Sequence, residues 1–191
     1  REGLYIELFQ AQVPASPAPA LPVITFNDTT TFHVNGEDVV VFHVAPAHTD
    51  GDAIVWFKQA NGVHMGDIFF NGMYPVIDYS SGGRIDGMIA ACDKVLPLLA
   101  ADTQVIPGHG KMATKAELQA YRDMLAGVRG EVAKLVKQGK NLEQVLAAKP
   151  HQGRREQTRD QAKNEPAPQR HARALLVAFA NGARRQHLHA L

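Results

Sequence analysis

From Val23 to Phe70 the chain repeats one texture. Short runs of β-branched and aromatic residues, VITF, TFHV, VVVFHVA, AIVWF and GVHMGDIFF, alternate with turn signals such as ND, NGED and HTDGD. Runs of this kind predict strands joined by tight turns, the last of them ending near Gly66 and Asp67. NGMYPVIDYSSGG follows as a Gly/Pro/Asn loop. The period then changes: Ile85, Met88, Ile89, Cys92, Val95, Leu96 and Leu99 recur at steps of three and four, the apolar face of a helix that Pro97 kinks or ends. TQVIPGHG predicts one further strand running into a turn. Thr114 with Glu117 makes a capping box for a second helix, whose stripe of Leu118, Tyr121, Leu125, Val128, Val132 and Leu135 reaches a stop at Gly139. Asn141 with Gln144 caps a short third helix that ends before Pro150.

The ends differ in texture from this body. Residues 1–22 carry AQVPASPAPALP and predict an extended Ala/Pro-rich lead-in, so the folded body is expected over 23–150. Residues 151–191 hold eight Arg and Lys against three Asp and Glu, a basic tail expected to be partly disordered or interface-forming, with ALLVAFA as its one amphipathic stretch. The whole chain of 191 residues is 45% hydrophobic with a net charge of +1, which suits one globular domain and argues against nucleic acid or a membrane as partner. Cys92, the one cysteine, excludes an internal disulfide and reads as a buried, inert thiol. No apolar run approaches the roughly 18 residues of a membrane-spanning helix, so a soluble protein, cytoplasmic or periplasmic, is expected. The opening Arg1 suggests that something precedes it.

Three places share a grammar: an apolar strand runs out, and a side chain able to bind a metal stands at the bend beyond it. They are His48 in HTDGD, Asp67 in GD and His109 in GHG. Strand ends are where distant parts of a chain converge without disturbing the core, and imidazole nitrogen and carboxylate oxygen are ligands zinc accepts at about 2.0 to 2.2 Å. Neighbouring glycines let the backbone turn tightly enough to aim them.

HTDGD, GD at 66–67 and GHG at 108–110, in this order and over residues 23–149, resemble the later motifs of the metallo-β-lactamase-fold hydrolases. The resemblance implies an α/β (α+β) fold, a four-layer αββα sandwich, with a dinuclear metal site, usually zinc, at one edge of two sheets. It implies that His48 completes the ligands of one metal, that Asp67 bridges both or binds the second, and that His109 binds the second. It implies a catalytic site in which the metals acidify a shared water and polarise an ester, lactam or related bond of a small-molecule substrate. Asp52 and Asp50 are read as capping the turn after His48, with Asp52 also steadying the ligand, and His64 as a supporting residue for Asp67. Phe70, Asn71, Met73 and Tyr74 are the candidate substrate loop.

The signature His-x-His-x-Asp-His of the fold's first half is absent from this sequence. His33 and His43 lie ten apart, and His187 and His189 lack the following Asp and His. The chain therefore reads as the C-terminal half of the fold, whose sheet would present a bare apolar face. A homo-oligomer or a complementary chain is expected to cover that face. The alternative to a working hydrolase is a truncated, impaired relative serving as an assembly or binding module.

Overall fold

The structure is a computed structural model that describes residues 3–6 and 11–150. Its central element is a five-stranded sheet of β3 (Thr29–Val34), β4 (Glu37–His43), β5 (Ala53–Phe57), β6 (Gly62–Phe70) and β7 (Gln104–His109), ordered as in the chain. A separate two-stranded sheet pairs β1 (Leu4–Ile6) with β2 (Ala11–Val13). The first three pairings of the large sheet are antiparallel; short turns join β3 to β4 and β5 to β6, and a nine-residue loop joins β4 to β5. Asn35 and Gly36 both take positive φ at the β3–β4 turn, the conformation a two-residue hairpin favours. β7 runs parallel to β6, after a crossover through α1 (Ile85–Val95). α2 (Lys115–Lys137) and α3 (Leu142–Ala148) follow.

Strand alternation divides the sheet into two unlike faces. Phe42, Ile54, Val63, Met65 and Val105 turn inward and are buried with Met88, Cys92 and Val95 of α1 and Leu118, Leu125, Val128 and Val132 of α2. The opposite face carries Phe32, Val39 and Phe57 in one row and Thr30, Val41, Val55, His64 and Ile106 in the next. These side chains are half-buried or exposed and lie outside the core. The fold is mixed α/β, one sheet with helices on one side, which is half of the four-layer arrangement.

Local chemistry explains the element ends. Both expected capping boxes form: Thr114 Oγ1 accepts from the Glu117 amide while Glu117 bonds back to the Thr114 amide, and Asn141 and Gln144 do the same. Gly139 follows α2 at φ 76, and Pro97 sits in a 3-10 turn just past α1.

Two strand expectations need correction. Val23–Phe26 is not a strand; these residues are exposed and pair with no neighbour, and an isolated run has nothing to satisfy its backbone groups. β6 does not end at Gly66–Asp67 but continues to Phe70, because a register shift at Gly66, φ 55, absorbs an irregularity and the pairing with β7 resumes. The basic tail, its ALLVAFA stretch and the His187–His189 pair lie outside the described residues. No described helix is long and apolar enough to cross a membrane.

Candidate metal centre

Asp67 stands between the two histidines. His48 Nε2 lies 3.6 Å from Asp67 Oδ2, and His109 Nε2 lies 3.4 Å from Asp67 Oδ1. The β6–β7 pairing brings Asp67 and His109 together, and the bend after β4 supplies His48. The three residues singled out from sequence thus share one locality, and each imidazole faces its own oxygen of one carboxylate.

His48 is held by its surroundings. Its Nδ1 donates to the Val76 carbonyl at 2.7 Å, since a carbonyl can only accept, and this bond leaves Nε2 facing Asp67. The His48 carbonyl accepts from the Asp78 amide at 2.9 Å, and a Cβ on Gly83 would collide with that same carbonyl. Asp78 folds its own loop by accepting from the Ser80 and Ser81 amides at 3.0 and 3.2 Å. Burial acts to raise its pKa, but the bonds from Ser80 and Ser81 outweigh it and hold the carboxyl below its usual range. Asp52 caps the turn, its Oδ2 accepting from the Thr49 amide at 2.9 Å and its Oδ1 from the Thr49 hydroxyl at 3.2 Å. It steadies the residue after His48 without bonding the ring.

His64 sits behind Asp67 along β6. Its Nδ1 accepts from the Gly66 amide at 3.1 Å and so fixes the irregular turn that aims the carboxylate. Gly108 lies against the other side, where a Cβ would strike Asp67 Oδ1 and the Gly66 backbone. His43 meets the Asp50 carbonyl through Nε2 at 2.9 Å.

The residues of the expected substrate loop occupy varied surroundings. Phe70 is buried at 3% exposure, stacked on His109 with centroids 4.8 Å apart and tilted against His48 at 6.3 Å. Tyr74 is buried, and Met73 is half-buried against the core. Asn71 is half-buried and its side-chain amide donates to the Lys111 carbonyl at 3.0 Å. Sequence reasoning missed the Val76 carbonyl and the stacking of Phe70, since neither leaves a local pattern; Gly108 was visible inside the GHG motif.

The donor set fits cations better than direct bonds. A separation of 3.4 to 3.6 Å is too long for a hydrogen bond. Yet two ligand atoms each about 2.1 Å from a tetrahedral zinc stand about 3.4 Å apart. Each side of Asp67 offers one nitrogen and one oxygen, two donors where such a shell needs more. Accordingly, no group of three or more His, Cys, Asp or Glu side chains among the described residues is arranged to hold a single ion.

A family model described as the metallo-beta-lactamase superfamily matches residues 1–144. Among solved structures, the stereoselective inverting sec-alkylsulfatase Pisa1 from Pseudomonas sp. is 15% identical with a TM-score of 0.59, over 92% of this chain and 29% of that one. DIM-1 metallo-beta-lactamase is 23% identical with a TM-score of 0.45, over 52% of this chain and 46% of that one. BLEG-1 B3 metallo-beta-lactamase is 26% identical with a TM-score of 0.46, over 61% and 53%. The chain spans between about a quarter and about a half of the length of these structures. The likeness to the sulfatase speaks to fold alone. No curated protein matches the sequence.

Proposed function

Because this chain belongs to the metallo-beta-lactamase superfamily, a superfamily of hydrolases whose members bind metal ions, we propose that it carries part of a metal-dependent hydrolytic site formed by His48, Asp67 and His109. The observation that carries the reading is the placement of one carboxylate between two imidazoles at 3.6 and 3.4 Å. His48 and His109, each with the Asp67 oxygen it faces, are the residues that would hold metal here. When bound, the metal acidifies a water and polarises an ester, lactam or related bond. The chain's own residues prepare for this. Val76 keeps the His48 proton on Nδ1, His64 and Gly108 fix Asp67, and Phe70 holds the His109 ring. Zinc is the metal these nitrogen and oxygen donors suit.

The apolar outer sheet face favours assembly with a further layer of protein, a second copy or a complementary polypeptide, that also supplies the missing donors. Native mass spectrometry of the full chain separates this from a lone monomer.

Metal analysis of the purified chain, with a panel of ester, lactam and sulfate-ester substrates, tests the site. Bound zinc that falls away in His48→Ala and His109→Ala supports it. A protein that retains no metal under zinc supplementation and cleaves none of the panel overturns it.

A further inference from the structure

The tip that follows His109 is held more firmly than an exposed turn requires. Its base is closed by reciprocal amide bonds between Val105 and Ala113, both 2.8 Å. Its flank is tied to the end of β6: the Asn71 amide donates to the His109 carbonyl at 2.9 Å, and the Asn71 side chain donates to the Lys111 carbonyl at 3.0 Å. Gly110 permits the turn at φ 99, where a Cβ would also collide with the Asn71 carbonyl.

On this fixed backbone stand Lys111 and Met112, both exposed, Met112 at 58%. No hydrogen bond or ion pair among the described residues engages the Lys111 ammonium. Two residues of chain span at most about 7 Å, so Lys111 is within one side-chain length of His109. A rigid backbone presenting an unpaired cation beside an exposed hydrocarbon and thioether surface is suited to read a ligand with matching parts. Lysine acts on an anion as a point charge, and methionine adapts to irregular apolar shapes.

The geometry points to Lys111 and Met112 as the substrate-selecting edge of the His48–Asp67–His109 site, favouring substrates that carry a carboxylate and a hydrocarbon segment beside the bond to be cut. This rests on the hydrolase reading. Lys111 attracts the carboxylate and Met112 covers the hydrocarbon, while Asn71 keeps both at a constant distance from His109.

The test compares two esters of similar size, neutral p-nitrophenyl butyrate and anionic mono-p-nitrophenyl succinate, on the zinc-loaded full chain. Lys111→Ala is expected to lower the ratio of kcat/KM for the anionic over the neutral ester about tenfold, chiefly through KM, and Lys111→Arg to restore most of it. Raising salt to 1 M, where the screening length falls to about 3 Å, is expected to erase the preference in the wild type alone. A ratio that Lys111→Ala leaves unchanged overturns the assignment. Should the wild type cleave neither ester, the hydrolase reading fails separately, and the edge is then read on metal-free protein by NMR. Succinate, but not butyramide, is expected to shift the Gly110, Lys111 and Met112 amides, and Lys111→Ala to abolish the shift. Equal shifts with both compounds, or none with either, overturn the edge itself.

Discussion

Phe70 lies almost flat on His109, their rings 4.8 Å apart and inclined by 16°, while the same phenyl ring tilts toward His48 at 51°. One buried aromatic therefore touches both imidazoles flanking Asp67. Phe70→Leu is expected to keep the fold but free the His109 ring, weakening zinc affinity about 10-fold, as loss of a ligand's support does elsewhere. Phe70→Ala is expected to cost about 3–5 kcal/mol of stability as well. Competitive zinc titration and urea unfolding of the two variants separate these effects; equal affinity in all three proteins would refute a role for the stack.

Gly108 is a second lever on the same carboxylate. In Gly108→Ala the new methyl meets Asp67 Oδ1 and the Gly66 backbone, so one of them must move. A loss of about 1–3 kcal/mol is expected from overpacking. Zinc content should fall further than helical circular dichroism, because the clash is at the site and not in α1 or α2. Unchanged zinc content would mean that Asp67 is not held where the structure places it.

The two sheet faces predict opposite tolerances. Ile54 is fully buried against the helices, so Ile54→Ala is expected to cost about 2–5 kcal/mol. Val55, its neighbour in β5, points the other way and is half-buried outside the core. In dilute chain, before any partner layer assembles on this face, Val55→Thr is expected to stay within about 0.5 kcal/mol in the same unfolding experiment, since threonine keeps the strand propensity. Comparable losses at both positions would show that something covers the outer face.

Burial pushes the Cys92 thiol up to about 12 from an ordinary value of 9.0, with Asp93 adding to the rise and Arg122 opposing it. The thiolate is the reactive form, so iodoacetamide at pH 8 is expected to leave native protein unlabelled and to modify it fully in urea. The stability consequence follows from the sign of the shift. A raised folded-state pKa leaves its contribution intact below pH 9 and removes it as pH climbs toward 12, because only the unfolded chain releases the proton readily in that interval. Alkaline unfolding midpoints of wild type and Cys92→Ala measure it: the variant should lose less stability over that range.

What could be read from sequence was what local pattern encodes. The strands β3 to β5 announced themselves by side-chain type, and the helix starts at Thr114 and Asn141 by reciprocal capping. Val23–Phe26 has the composition of a strand, but pairing is a property of neighbours, and none stands beside it. The continuation of β6 past Gly66 escaped because a register shift breaks the alternation on which strand reading depends. At the site, His48 and His109 were legible beside strand ends, whereas Asp67, read as a strand-end residue, stands beside the irregularity inside β6. The Val76 carbonyl on His48 and the Lys111 carbonyl on Asn71 were not, since those partners meet only after the chain has folded.

The parallel pairing of β6 with β7 has a kinetic consequence. β3 through β6 are joined by connections of nine residues or fewer, whereas β7 docks only after α1 has crossed the sheet. Contacts between distant stretches of sequence bear the greater loop-closure cost and form slowly. Asp67 and His109 are such a pair, so their approach belongs to the closing stage of refolding. A spectroscopic probe ion captured between them would then time the last step of the reaction, lagging behind the return of helical signal.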